Sequence, residues 1–148
     1  MRISAKGEYA IRALLDLAVH HGEGLVPIQE VARRQGIPQR YLEQVLLLLK
    51  RAGFLESKRG SAGGYQLVRA PGAISVGQVL RAVEGRLTAL DVAGRSLASD
   101  KDGGSSDLEP LWQQIASAVA TVVDRTTFGD LAEQVKARQS PGRAVYHI

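Results

Sequence analysis

The segment from Pro27 to Tyr65, PIQEVARRQGIPQRYLEQVLLLLKRAGFLESKRGSAGGY, constrains the fold more than any other part of the chain. Ile28, Val31 and Ala32 mark one short helix, and Gln35-Gly36 supplies the turn that ends it. Pro38 then takes a first helical position, where its missing N–H costs nothing. Leu42, Val45, Leu46 and Leu49 repeat at helical spacing up to Arg51, and Gly53 closes the helix. Val31, Ala32 and Ile37 are placed to pack the two helices together. Two strand-like runs follow, Phe54 to Ser57 and Tyr65 to Val68, separated by the polar, glycine-rich stretch Lys58 to Gly64. Two helices about a tight turn, then a hairpin with a basic tip, form the layout of a winged helix–turn–helix, whose second helix fits the DNA major groove.

Charge follows the same division. Residues 1–69 hold 11 Lys and Arg against 6 Asp and Glu, whereas residues 70–148 hold 8 against 9. The positive charge therefore sits with the DNA-binding pattern, as phosphate contact with counterion release requires. A solvated arginine-rich face is the plainer explanation of the same excess. Apolar residues make up 45% of the chain and aromatics only 5%, so the core is expected to be aliphatic and the elements mainly helical. No cysteine is present, which removes disulfides, thiolate metal sites and cysteine nucleophiles. Three histidines, His20, His21 and His147, show no nucleophile–base spacing, so the chain is not expected to be an enzyme. Lys6, Glu8 and Arg12 interrupt any secretory apolar run, and no stretch reads as a membrane span. The expected location is the cytoplasm.

Outside the central segment, Tyr9, Ile11, Leu14, Leu15, Leu17 and Ala18 give a helical face from about Glu8 to His21. Ser75 is an N-cap for a short helix carrying Val76, Val79, Leu80 and Val83. Arg86 to Glu109 lacks pattern, and Ser99 to Ser106 reads as a linker by composition. Leu108, Leu111, Trp112, Ile115, Val119, Val122 and Val123 then recur at three- and four-residue steps, a long amphipathic helix to about Thr126 with Asp107 or Ser106 as its cap. A last helix spans Phe128 to Ala137. The expected organisation is a DNA-binding domain over 1–85, a flexible linker or effector region over 86–106, dimerisation and final helices over 107–138, and a tail over 139–148. A compact winged domain covers a stripe of seven apolar residues poorly, so pairing with the same helix of a second chain is expected. Packing back on the first helix of its own chain is the alternative.

Within the second helix of the turn, Gln39, Arg40, Glu43 and Gln44 fall outside the apolar positions and suit base edges. Arg40 matches guanine, Gln39 or Gln44 matches adenine, and Glu43 either accepts from the cytosine amino group or pairs with Arg40. Arg59, beside Gly60 at the wing tip, suits a narrow minor groove. Lys58, Ser4 and Lys6 are phosphate contacts that orient without specifying. Tyr41 either donates to a phosphate or packs against the wing. His20 and His21 lie where a helix C-terminus favours a cation, and no metal site or cofactor is expected from them.

RISAKGEYAIRALLDLA, VARRQGIPQRYLEQVLLLLKRAGFLESKRGSAGGYQL and AISVGQVLRAVEG, in this order, resemble the bacterial winged-helix regulators that include IscR, NsrR and CymR. The similarity runs from Met1 to about Gly85 and resumes at Leu111-Trp112 and at Thr127 to Leu131. The resemblance implies a mainly α fold with a small β-hairpin wing, a long C-terminal helix crossing that of a second copy, and a homodimeric repressor. It also favours the base-reading role for Glu43. Members of that family that hold an iron–sulfur cluster carry three cysteines ahead of the long helix. The matching region here, Leu90 to Gly104, has none, so the chain resembles the members without a cluster. Control would then come from a partner enzyme or a small ligand. A winged helix that binds a protein through the same surface is the competing function.

Overall fold

The computed structural model describes residues 3–85 and 107–139. The expected linker, 86–106, and all of the expected tail beyond Gln139 lie outside the described residues, as does His147. Helix α1 spans Ala5–Val19. It starts earlier than its apolar pattern suggests because Ser4 caps it, the Ser4 Oγ accepting from the Gly7 N–H at 3.0 Å. Its buried face is built largely from small residues, Gly7, Ala10, Ala13 and Ala18, with Leu14 and Leu17 between them. Small side chains let neighbouring helices approach closely.

Helix α2 (Ile28–Gln35) ends at Gly36, whose φ of +63° makes the left-handed turn into the next helix. Helix α3 (Gln39–Arg51) follows. Pro38 stands at its N-cap with an extended ψ of 126°, so the helix starts one residue later than expected. Val31, Ile37, Leu42, Val45, Leu46 and Leu49 are all buried and join one cluster with α1. The turn thus holds its two helices through the spacing that predicted them.

Strands β1 (Leu55–Lys58) and β2 (Gly64–Leu67) pair antiparallel, with Leu55 opposite Leu67 and Lys58 opposite Gly64. The ladder is shifted from the expected runs: Phe54 is buried below it, and Val68 lies past its end. A further backbone bridge comes from outside the hairpin. Val26 and Tyr65 exchange both backbone hydrogen bonds at 2.9 Å, tying the start of α2 to the wing. Gly64 permits this, since a Cβ there would meet the Val26 carbonyl at 2.5 Å.

Helix α4 (Val76–Glu84) opens with a capping box in which Ser75 and Gln78 satisfy each other's backbone N–H groups. Helix α5 (Glu109–Arg125) is the long helix, and α6 (Phe128–Gln139) is the last. The α5 N-cap is Leu108, which makes no side-chain cap; neither expected capping residue fills that place. Thr127 and Asp130 form a reciprocal cap at the start of α6. Helix α5 packs on α4, and α6 packs on α1. The backbone bonds Val76 N to Thr126 O and Phe128 N to Ile74 O pin the α5–α6 corner beside α4. Phe128 is wholly buried in the same core as α1 and α3, and Ala132 joins it. One apolar core therefore runs from α1 to α6.

Candidate nucleic-acid interface

The two faces of α3 are sharply divided. Leu42, Val45, Leu46 and Leu49 are buried, whereas Gln39, Arg40, Tyr41, Glu43, Gln44 and Leu47 are exposed. Residues 40, 43, 44 and 47 recur at three- and four-residue steps, so they form one outward row. Among the described residues no ion pair joins Arg40 to Glu43. The carboxylate is left open to solvent, and with it the guanidinium.

The Tyr41 ring packs on α1, where the expected packing partner was the wing. Its ring meets Tyr9 of α1 edge-on at 5.3 Å, and the Arg12 guanidinium lies 5.5 Å from the centre of the Tyr9 ring. This stack fixes the first turn of α3 against α1. On the same side, Lys6, Tyr41, Gln44, Leu47 and Arg51 line a shallow cleft of about 350 Å³. The N-terminus of α1 and the outward row of α3 therefore share one surface. Ser4 is engaged within the chain: its hydroxyl caps α1 and also donates to Glu84 of α4. Lys6 is exposed and forms no ion pair among the described residues.

The wing tip turns through Gly60 to Gly63, closed by the Gly63 N–H donating to the Gly60 carbonyl at 3.0 Å. Lys58, Arg59 and Gly60 are all exposed. The base of the wing is braced twice. Lys50 of α3 donates to Ser57 Oγ at 2.7 Å, and Gln66 donates to Glu56 across the ladder at 2.5 Å. A firm root carries a short basic tip.

Below this surface lies a group that periodicity did not reveal. Asp16 is 3% exposed and accepts from Arg34 Nε and Nη2, both at 2.9 Å, and from Gln35 Nε2 at 3.2 Å. The bond to Asp16 holds the Arg34 guanidinium above its ordinary pKa, and Glu30 adds to the effect. This pair fixes α2 against α1, and so sets the angle from which α3 projects. A second fork, Arg81 to Asp124 at 2.5 and 3.0 Å, joins α4 to α5. It lowers the Asp124 carboxyl below the usual carboxylate range and raises Arg81.

The apolar stripe of α5 is only partly covered. Val123 packs against the main core, and Trp112 and Ile115 surround Ala116 in a small separate cluster. Leu108, Leu111 and Val122 are exposed, Val122 by 63%, and Val119 is half-buried. The stripe does not lie on α1, whose flank is taken by α6.

A family model described as "Rrf2: Iron-dependent Transcriptional regulator" matches residues 3–134. The chain belongs to the Rrf2 family. It is 37% identical over 146 residues to the HTH-type transcriptional regulator IscR of Aliivibrio salmonicida, covering 95% of this chain and 85% of that protein. The IscR of Vibrio cholerae is 35% identical over 149 residues, with 100% and 84% covered. Among solved structures, T. potens IscR superposes with a TM-score of 0.79 at 32% identity over 99% of this chain and 96% of that one. CymR, the global cysteine regulator of B. subtilis, gives 0.75 at 34% identity, with 90% and 98% covered. This Rrf2 chain is a DNA-binding transcription regulator of the winged-helix type, and its relatives are named as regulators, not enzymes.

The iron in the family description finds no thiolate donor in this Rrf2 protein. The sequence contains no cysteine, and among the described residues no three His, Asp or Glu side chains gather as a metal site. His20 instead bonds through Nδ1 to Glu23 at 2.8 Å. No helix among the described residues is long and apolar enough to cross a membrane.

Proposed function

We propose that the chain acts as a homodimeric repressor that recognises an inverted-repeat operator without an iron–sulfur cluster. The observation that carries this reading is the outward row of α3. Leu42, Val45, Leu46 and Leu49 are spent on the core, and Arg40, Glu43 and Gln44 stand free beside a braced basic wing. Gln39, Arg40, Glu43 and Gln44 read base edges in the major groove. Arg59 enters the adjacent minor groove, and Gly60 lets the tip follow it. Lys6 and Lys58 contact phosphates. Tyr41, held on Tyr9, presents its hydroxyl to the backbone beside them. Ser4 reaches a phosphate only by releasing Glu84, so its first role is to orient α1.

Leu108, Leu111, Val122 and Val119, with Trp112 and Ile115 at their flank, meet the same stripe of a second copy, and Val123 seats the helix on its own core. A two-fold dimer presents two α3 helices to half-sites one helical turn apart or a multiple of it, and occludes a promoter. With no thiolates to hold a cluster, the signal arrives through a partner protein or a small molecule. Selection of bound sequences from a random DNA pool, followed by footprinting, tests the reading. An inverted repeat protected in both halves is expected. Binding that shows no sequence preference at any salt concentration would falsify it.

A further inference from the structure

The outward row of α3 contains one large apolar side chain, Leu47, which is 45% exposed. It follows Glu43 by four residues and Gln44 by three, so it continues their row toward the helix C-terminus. The core takes nothing from it, since Leu42, Val45, Leu46 and Leu49 fill the inward positions. The other strongly exposed apolar residues lie elsewhere: Leu108, Leu111 and Val122 on α5, Val68 past the wing, and Ile3 at the start of the described chain. Leu47 shares its cleft with Tyr41, Val45 and Leu48. Lys6 and Arg51 line the same cleft, and Lys50 and Arg40 flank it along the helix. An exposed leucine that continues the row of Arg40, Glu43 and Gln44, with cations on its rim, suits a polyanion that offers an apolar group. In the major groove of duplex DNA that group is the thymine C5 methyl.

We propose that Leu47 packs on a thymine methyl in each operator half-site and sets base preference at that position. The proposal rests on α3 being the recognition helix. It extends the polar set Gln39, Arg40, Glu43 and Gln44 by one position read through van der Waals contact instead of hydrogen bonds.

The test uses the full chain and an operator obtained by selection. Each half-site thymine is replaced in turn by deoxyuridine, which deletes the methyl and keeps every hydrogen-bonding group. At one position the wild-type protein is expected to lose roughly fourfold in affinity, the worth of one buried methyl. Leu47→Ala is expected to bind the thymine and uridine operators equally there, while its preferences at other positions stand. If no uridine position matters to the wild type, the proposal is overturned; this half of the test needs no variant to fold. It is equally overturned if Leu47→Ala, shown folded by circular dichroism, keeps the full uridine penalty. Arg40→Ala and Gln44→Ala separate the two levels of inference. Should neither alter any base preference, the recognition-helix reading fails and Leu47 falls with it. Altered preferences in those variants together with indifference to uridine remove Leu47 alone.

Discussion

Asp16 and Arg34 are 18 residues apart in sequence, yet their side chains form a two-point contact that is nearly closed to water. Replacing Arg34 by Ala leaves a buried carboxylate with only Gln35 as partner. That change is expected to cost about 3 kcal/mol, since an uncompensated buried charge is worse than no pair at all; urea denaturation of the two proteins measures it. Because the Arg34 pKa is raised, its contribution is complete below the ordinary arginine value and would fade only above it, so alkaline titration up to the working limit of the protein should leave the pair intact. At the DNA surface, Arg40→Ala should lose about 1–3 kcal/mol of operator binding and relax preference at one base pair. Lys6→Ala should weaken all sequences alike and lower the slope of log affinity against log salt by about one. Arg40 was legible from sequence because helical spacing alone separates it from the core. Asp16 was not, since its position on α1 announces nothing until α2 folds across it. The packing partner of Tyr41 was hidden for the same reason: Tyr9 lies on another helix.

The second helix of the turn and its glycine turn could be read directly, because a 3.6-residue repeat and a φ-permissive residue leave few alternatives. The Ser75 cap could be read too. The hairpin could be read in kind but not in register, since Val26, 39 residues from Tyr65, adds a backbone bridge to it. The last helix was read as starting at Phe128, where α6 begins; its physical basis is the reciprocal cap of Thr127 and Asp130 around a buried Phe128. Phe128→Ala should accordingly cost about 3–5 kcal/mol, as for other large aromatic truncations in a packed core, and thermal melting of the variant reads it. The clamp between α4 and α5 is electrostatic and exposed. Asp124 has a lowered pKa, so the stabilisation it gives is present above the ordinary aspartate range, about pH 4, and is lost as pH falls through its lowered value. The melting temperature of wild type should exceed that of Asp124→Asn by a small margin at neutral pH, and the margin should close in acid.

Across the whole molecule, charge asymmetry and a missing residue type proved as telling as any motif. The surplus of cations before residue 70 falls in the half proposed to face DNA, and the lack of cysteine removes the donors on which a thiolate cluster depends. The long helix was evident, but what it lies on was not: α5 rests on α4 while α6 takes the flank of α1. Val122→Glu is expected to leave the monomer folded, because that side chain is 63% exposed, and to abolish assembly and operator binding together. Sedimentation velocity beside a gel shift tests both at once. The small-residue face of α1 has a practical corollary. Because α2, α3, α4 and α6 all lean on that one helix, cutting the gene after Gly85 would bare its flank and take Phe128 out of the core. The reading head is therefore not a detachable cartridge, and fusions or biosensors built from this protein should keep its C-terminal turns.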